Sequence, residues 1–582
     1  MEKPEYYCDV AIVGGGPAGS TVATLLKKYR PKLRVAVFEK EQFPRDHVGE
    51  SQLPYISVIL DEMGVWDQVE AAGFPIKVGA TYRWGKSPKL WDFEFLNHGQ
   101  FEPVPRPSKF EGQRQHTAFQ VDRGIYDKIL LDHAASVGAE VYQQHAVKSI
   151  DTDGDTITSI TVQGDQVNGK VEAKYYVDCS GYAGIMRKRM GIESLVPTTL
   201  QNIAIWDYWR GASWAVNIGI EGTRVQVMSV GYGWLWFIPL GNDRTSVGLV
   251  VPANYYRDRG LRPNDLYMEA LANDPVVSKL TEGATREDQL QSTKDWSFLA
   301  DRLAGDNWFL CGESAGFADP ILAAGMTLAH KGARDVAYTI LEFFRGEHDE
   351  DWLRERYTEG NRRAIMQHIR FADFWYSQNG QFSDLKDYAK EIAGDAGLDM
   401  NSDDAWRWLG TGGFVDQDSS ITDFAGFSVV ATKSLTANFL EDEVHYELFG
   451  KTHFRLNLGG AVQGFGSNLF QGRINKHPCY IRDEKYLPML GVCGWVAHLL
   501  GNQERTAREI VGAADAFRLA PERTQLEQAM FPKLLIQTLE AMIADGWIVA
   551  KVVPGHDGWP KFDIDESRFM HENKDVAKLV GE

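Results

Sequence analysis

Asp9-Val-Ala-Ile-Val-Gly14-Gly-Gly16-Pro17-Ala18-Gly19 runs a short apolar stretch into a glycine-rich turn, and residues 18–29 then follow with helical spacing. A second apolar run, Val35-Ala-Val-Phe38, ends in Glu39, 20 residues beyond Gly19. Strand, helix and strand at these lengths predict a βαβ unit. In Gly14-x-Gly16-x-x-Gly19 the first glycine permits the tight turn and the second lets backbone approach a pyrophosphate. The third lets the helix pack close to the strand. Pro17 and Ala18 open the helix, whose N-terminal amides and dipole face the anion. Glu39 stands where an acid accepts hydrogen bonds from a ribose hydroxyl. The expectation is a dinucleotide site.

The chain has 582 residues, more than one core usually needs, so a large catalytic domain with an appendage is expected. The net charge of −19 disfavours nucleic acid or an anionic membrane as main partner, since both are polyanions. No apolar run reaches bilayer-spanning length, and the polar N-terminus leads straight into a strand. Cys8, Cys179, Cys311, Cys479 and Cys493 are scattered, without C-x-x-C spacing. That pattern predicts free thiols in a reducing cytoplasm and no metal site.

The fold class expected is α/β: a Rossmann-like nucleotide-binding domain with an inserted antiparallel sheet, followed by a helical and mixed C-terminal domain. Residues 121–136 read as a helix, and 155–163 and 171–178 as strands returning to the sheet. Residues 195–300, rich in Trp, Val and Ile, read as the inserted sheet, and 308–312 close the first one. A long helix is predicted over 325–345, so the catalytic domain spans 1–345. The segment 346–425 is read as charged helix followed, over 401–425, by a linker rich in Asp, Ser and Gly. Residues 426–582 form the C-terminal domain, where a helix followed by a two-stranded wing (546–550 and 559–564) is the expectation.

About 215 residues after the glycine turn comes Gly233-Trp234-Leu-Trp236-Phe-Ile-Pro239. Tryptophans two apart on a strand share a face, and an aromatic core strand would also account for them. Taken with the glycine turn, however, the Trp-x-Trp-x-Ile-Pro run resembles the flavin-dependent halogenases. These are a two-component branch of the p-hydroxybenzoate-hydroxylase-like flavoprotein monooxygenases, and the chain looks nearer to the phenol, pyrrole and chloramphenicol types than to free-tryptophan enzymes. The resemblance covers roughly residues 1–345.

It implies FAD as the dinucleotide. Arg45, Glu50 and Ser51 stand where that fold places flavin contacts, and Arg123 matches an arginine reaching the FAD phosphate or ribose region. Gly312-Glu313…Asp319 resembles the second flavin fingerprint, with Glu313 in place of the usual aspartate. Asp178, in Asp178-Cys-Ser-Gly181, resembles an Asp-Gly run common in the fold, and Asp295 stands where some relatives hold flavin covalently. Trp234, Trp236 and Pro239 would keep organic substrate off the flavin.

Lys77, in Ile76-Lys77…Trp84-Gly85, matches the family lysine that holds hypohalous acid or carries it as a haloamine; a surface lysine is the plainer reading. Glu50 is a second catalytic candidate, orienting or deprotonating substrate. Ala324, Gly325 and Met326, at the start of the 325–345 helix, match a halide site, although Ala323 and Thr327 depart from the usual serine and histidine. The implied reaction takes FADH2 from a separate flavin reductase and O2 to a flavin hydroperoxide. Chloride or bromide attacks it, and an electron-rich phenol, pyrrole or indole, free or carrier-tethered, is halogenated. Two alternatives stand beside it: an aromatic hydroxylase or reductase of the same fold using NAD(P)H, and a non-catalytic flavin-binding protein.

Overall fold

Val10–Val13 are buried along their whole length, the pattern of a strand covered on both faces of a parallel sheet. In the computed structural model, which describes residues 6–96, 101–214, 222–241, 243–415, 423–424, 427–561, 570–573 and 578, this strand (Tyr6–Val13) lies at the centre of the first sheet. It pairs in parallel with Val35–Phe38 on one side and Gly169–Asp178 on the other. Glu140–Tyr142 extends the first side and Trp308–Leu310 pairs with the far strand, all parallel. Ala146–Asp153 and Thr156–Gln163 add an antiparallel hairpin at the edge.

The helices Pro17–Tyr29 and Gly325–Arg345 pack against each other beside this sheet. They are tied by a histidine with no exposure. Thr21 Oγ1 lies 2.9 Å from His330 Nδ1, and the Tyr126 hydroxyl 2.9 Å from Nε2. Burial pushes His330 down to about 3, so the ring is neutral and bridges three helices as donor and acceptor. Gly346, at φ +68°, ends the long helix with its N–H on the Glu342 carbonyl, the left-handed cap that glycine supplies without strain.

The second sheet draws on more of the chain than 195–300. Gln201–Arg210, Arg244–Pro252, Gly233–Gly241 and Gly222–Val230 are neighbours in that order, antiparallel throughout. Ile76–Arg83 then joins in parallel, followed by Trp91–Glu94. Met570–Glu572, from the far end of the chain, pairs with Trp91–Glu94. A buried ionic network fastens that last strand. Arg224 pairs with Asp92 and Glu94, His571 Nε2 lies 3.4 Å from Glu94, and Asn573 Nδ2 donates to both Asp92 oxygens at 2.8 and 2.9 Å. Nothing local in residues 570–573 announces this pairing.

The chain divides into two compact units, Met1–Gly397 with Ser567–Glu582, and Leu398–Glu566. The first includes the helices Glu350–Ser377 and Lys386–Ala396. In the second, part of the stretch expected to be a linker is helical. Ser402–Leu409 starts with the Asn401 side chain accepting from the Asp404 N–H at 3.0 Å, and buries Ala405, Trp406 and Leu409. The polar composition that suggested a linker is a cap followed by an amphipathic turn. Residues 416–422 and 425–426 lie outside the described residues.

His453–Leu456 is the centre of a small antiparallel sheet, between Arg505–Thr506 and Ile548–Lys551. The helices Ala507–Arg518 and Gln525–Ala544 begin with capping boxes, Thr506 with Glu509 and Thr524 with Glu527. Val462–Phe470 and Arg473–Arg482 form a long hairpin that Lys485–Pro488 extends. Thus Ile548–Lys551, expected in a wing with 559–564, pairs with a strand a hundred residues earlier; 562–564 lie outside the described residues.

Candidate active site

The glycine turn is shaped by what side chains would strike. Gly14 sits at φ +102°, and a methyl built on it would lie 2.3 Å from the Cys179 carbonyl oxygen. One on Gly19 would lie 1.9 Å from the Gly14 carbonyl, so helix and strand touch there. Gly16 is different: the nearest atom is the Arg45 guanidinium at 3.5 Å. Beyond it the helix Pro17–Tyr29 starts with no side-chain cap. Uncapped amides, an open glycine and an arginine beside it are the chemistry a pyrophosphate requires.

Glu39 is buried, its two oxygens accepting the Gly15 N–H at 2.7 Å and the Glu41 N–H at 2.8 Å, which leaves lone pairs for a ribose hydroxyl. Gly312, at φ +65°, stands so near Ala18 that an added methyl would approach its Cβ to 3.3 Å. The second glycine stretch therefore abuts the start of the first helix. Among the described residues nothing hydrogen-bonds the Glu313 carboxylate, and it carries the acceptor that the usual aspartate would. Arg123 is buried, bidentate to Asp127 at 2.7 and 2.9 Å, and donates to the Val48 and Gly49 carbonyls. Its two bonds to the Val48 and Gly49 carbonyls hold that part of the loop. These residues fit a flavin dinucleotide.

Asp178 is fully buried and holds its own loop, accepting from the Ser180 N–H and hydroxyl and from the Met186 N–H at 2.7 Å. Asp319 caps the turn Pro320–Leu322 and meets the Tyr376 hydroxyl at 3.3 Å and Asn202 Nδ2 at 3.4 Å. Burial raises Asp319 to about 7. Asp295 lies on Gln291–Trp296 opposite Asn202, and its side chain falls outside the described residues.

Lys77 is no surface lysine. It is 2% exposed, on Ile76–Arg83, with Nζ donating to the Gln52 carbonyl at 2.9 Å and 5.4 Å from the centre of the Phe95 ring. Burial lowers its pKa to about 7, because an ammonium without a carboxylate partner is costly in an apolar site. Three short segments converge here. The Val121 N–H bonds the Glu50 carbonyl, the Gln52 N–H the Phe119 carbonyl, and the Gln120 N–H the Pro75 carbonyl.

Around them lie buried polar atoms with no hydrogen-bond partner among the described residues: Glu50 Oε2, Ser51 Oγ, the Gln52 amide and Gln120 Oε1. Such atoms are expensive unless a ligand or water satisfies them. Glu50 is raised to about 7 by burial, with the Ser246 and Tyr208 hydroxyls and then Arg123 and Arg244 acting against that rise.

The tryptophans of Gly233–Gly241 are aimed by their indole nitrogens. Trp234 Nε1 donates to the Tyr376 hydroxyl at 2.7 Å, and Trp236 Nε1 to Ser246 Oγ at 3.0 Å. Their rings are 6.1 Å apart on one face. Gly248, opposite Trp236 in the ladder, makes room for the indole: a methyl there would lie 2.1 Å from the ring. Trp236 thus touches the hydroxyl that faces Glu50, and Trp234 the tyrosine that meets Asp319. Pro239 continues the strand opposite Thr245.

At the start of Gly325–Arg345, Ala324 provides no side-chain cap, Ala323 is held at φ +53°, and Thr327 Oγ1 is buried with no partner among the described residues. A methyl on Gly325 would meet only the Phe317 ring, at 3.9 Å. An open, uncapped helix start with a spare hydroxyl suits a small anion.

Sequence reading missed Ser246, Tyr208, Gly248, Gln52, Gln120 and Tyr376. Gly248 carried a readable signal, since a glycine inside the run Val247–Val251 marks close approach of another group. Tyr376 lies 142 residues from Trp234 and had none.

A family model described as an FAD binding domain matches residues 7–372. The tryptophan 2-halogenase of Chondromyces crocatus is 33% identical over 345 residues, 58% of this chain and 62% of that protein, so the chain spans less than two thirds of its length. The 1H-pyrrole-2-carbonyl-[peptidyl-carrier protein] chlorinase of Pseudomonas fluorescens is 31% identical over 388 residues, 64% of this chain and 85% of that protein. The crystal structure of the flavin-dependent halogenase CmlS shares the fold, with a TM-score of 0.70 at 24% identity over 97% of this chain and 99% of that one. Glycine cradle, buried lysine and anchored tryptophan strand occur together in a chain that belongs to the flavin-dependent halogenase family.

Proposed function

We propose that this protein is an FADH2-dependent halogenase of an electron-rich aromatic substrate, working in the cytoplasm with a separate flavin reductase. The observation that carries this reading is Lys77: buried, with no carboxylate partner among the described residues, and one strand removed from the tryptophan strand. FAD would be held by Gly14, Gly16, Gly19, Glu39, Arg45 and the Gly312–Glu313 turn. When bound in reduced form it supplies, with O2, the oxidation of chloride or bromide to the hypohalous level.

The rest belongs to the chain. The amides of Ala324–Met326 and the Thr327 hydroxyl would hold halide. With a pKa near 7, Lys77 presents both forms at neutral pH. The ammonium donates a hydrogen bond to hypohalous acid, and the free amine takes its halogen, RNH2 + HOX giving RNHX and water. Either way the oxidant stays at one atom. Trp234 and Trp236, fixed by Tyr376 and Ser246, would fill the face through which organic substrate could reach the flavin. Glu50 would take up the proton that the aromatic ring loses. The substrate arrives free or tethered to a carrier protein.

The test combines the protein with FAD, a flavin reductase, NADH, bromide and an electron-rich phenol, with products read by mass spectrometry. A brominated phenol is expected. Direct NADH oxidation without the reductase would overturn the two-component reading in favour of a hydroxylase.

Two variants probe the supporting contacts. Thr327→Val keeps the shape but removes the hydroxyl, so the halide KM should rise about fivefold, the equivalent of one hydrogen bond of roughly 1 kcal/mol, with kcat nearly unchanged. An unmoved halide KM would place the anion elsewhere. Trp236→Phe removes the donor to Ser246. The yield of halogenated product per NADH should fall about tenfold while peroxide release rises, as expected for roughly 1.4 kcal/mol of lost positioning. Unchanged coupling would reduce Trp236 to a core aromatic.

A further inference from the structure

The groups assigned above to flavin, oxidant and halide lie between Gly14 and Thr327. One side chain from beyond that range touches three of their segments. Tyr376 stands in the last turn of Glu350–Ser377 and is 2% exposed. Trp234 Nε1 donates to its hydroxyl at 2.7 Å and Asn202 Nδ2 at 3.4 Å, and the hydroxyl donates to Asp319 Oδ1 at 3.3 Å. Its ring meets that of Trp84, just past the lysine strand, edge to face at 5.6 Å.

The helix end that carries Tyr376 is pinned to the same strands. Trp84 Nε1 donates to the Trp375 carbonyl at 2.7 Å and the Gly380 N–H to the Gly85 carbonyl at 3.0 Å. On the other side the Asp384 N–H meets the Gly231 carbonyl at 2.9 Å, and Asn379 Nδ2 donates to Ser229 Oγ at 2.7 Å. Gly85 follows the lysine strand and Gly231 precedes the tryptophan strand.

Asp319 carries the junction to the start of Gly325–Arg345. Its Oδ1 also accepts the Ile321 N–H at 2.9 Å and so sets the turn Pro320–Leu322. That turn runs through Ala323, at φ +53°, into Ala324. An anion on the amides of Ala324–Met326 bears on the turn, the turn on Asp319, and Asp319 on the hydroxyl that holds Trp234.

We infer that Tyr376 is a positioning residue coupling halide binding to the anchoring of Trp234. Halide at the helix start favours the anchored tryptophan, and the anchored tryptophan favours halide by the same factor. Organic substrate is then screened from the flavin best when the ion to be oxidised is in place. The inference rests on the proposed halide site.

The chloride affinity of the FAD-loaded protein, read by chlorine NMR line broadening, tests it. Trp234→Phe alters the screen rather than the halide amides, yet chloride should bind about fivefold more weakly, the effect of one lost hydrogen bond. Tyr376→Phe keeps the ring and should cost the same, and the double variant no more than either alone, whereas Thr327→Val should multiply with both. A merely structural role would lower the melting temperature and leave chloride affinity unmoved. Unchanged affinity in Trp234→Phe would overturn the coupling, as would multiplied losses in the double variant or a wild type that binds no chloride. Should Tyr376→Phe fail to fold, Trp234→Phe alone decides. Bromination of the phenol is run alongside. A wild type that brominates while the losses multiply keeps the halogenase reading and sinks the coupling; coupled chloride binding without bromination does the reverse.

Discussion

Lys77→Met is expected to abolish halogenation while leaving FAD bound and the fold more stable than wild type. Met matches the length of the lysine stem, so the pocket stays filled, but no nitrogen remains to hold the oxidant. Product should fall by at least about 100-fold, with NADH consumption continuing as peroxide release. The stability change has a definite sign. The folded pKa of Lys77 is about 7 against an ordinary 10.5. Between those values the unfolded chain binds the proton and the folded chain does not, so stability rises with pH through that window. The penalty is fully present below about pH 7 and gone above about pH 10.5.

At roughly 1.4 kcal/mol per unit the upper bound is about 5 kcal/mol, and water penetration reduces it, leaving an expected gain of the order of 3 kcal/mol for Lys77→Met at pH 7. Thermal melts of the two proteins at pH 7 and pH 10 check this: the variant should melt several degrees higher at pH 7, and the difference should shrink at pH 10. A variant that halogenates normally sinks the role of Lys77, and one that melts lower shows that its ammonium is compensated in the folded protein.

That a residue costs stability where it works is consistent with which parts of this molecule were legible in its sequence. The cradle was readable because its logic is local. Gly14, Gly16, Gly19 and Glu39 belong to one βαβ unit, and each spacing has a single steric reason, visible as the 1.9 Å approach that a Gly19 methyl would make. The tryptophan strand was readable because period two puts Trp234 and Trp236 on one face. Their anchors were not, since Ser246 and Tyr376 meet them only through sheet register and a helix from 350–377.

Lys77 was found by resemblance alone. Nothing in Ile76-Lys77-Val78 tells a buried lysine from a surface one, because burial depends on Gln52, Phe95 and Ala118 arriving from three segments. Composition misled at 401–425, where a capped helix stands in part of the stretch that Asp, Ser and Gly suggested was linker. The breadth of the second sheet was hidden for the same reason as the anchors, with Met570–Glu572 reaching Trp91–Glu94 across almost the entire chain.

Glu50→Gln tests the other half of the chemistry. The residue is 2% exposed, Oε2 has no hydrogen-bond partner among the described residues, and burial raises its pKa to about 7 from 4.5. Between pH 4.5 and 7 the folded chain therefore holds a proton that the unfolded chain has lost, so stability falls with rising pH through that window and the full cost is present above pH 7. Glutamine keeps the shape and removes that slope, and the variant should be at least as stable as wild type at pH 8.

Activity should move the opposite way. A carboxyl poised near the working pH is suited to exchanging a proton with substrate, and losing it typically costs about 100-fold to 10,000-fold. The pH profile separates this from a merely structural role. Of the buried groups shifted to near 7, which include Asp319, Lys77 and Glu50 are the two assigned to the oxidant and the substrate proton, and together they shape both limbs of the rate against pH. In Glu50→Gln one limb should disappear, leaving a single titration assigned to Lys77, while flavin binding and halide KM stay as in wild type. A variant that keeps both limbs and its rate would show that Glu50 only fills the space beneath Ser246 and Tyr208. One that loses flavin would place it among the cofactor contacts instead.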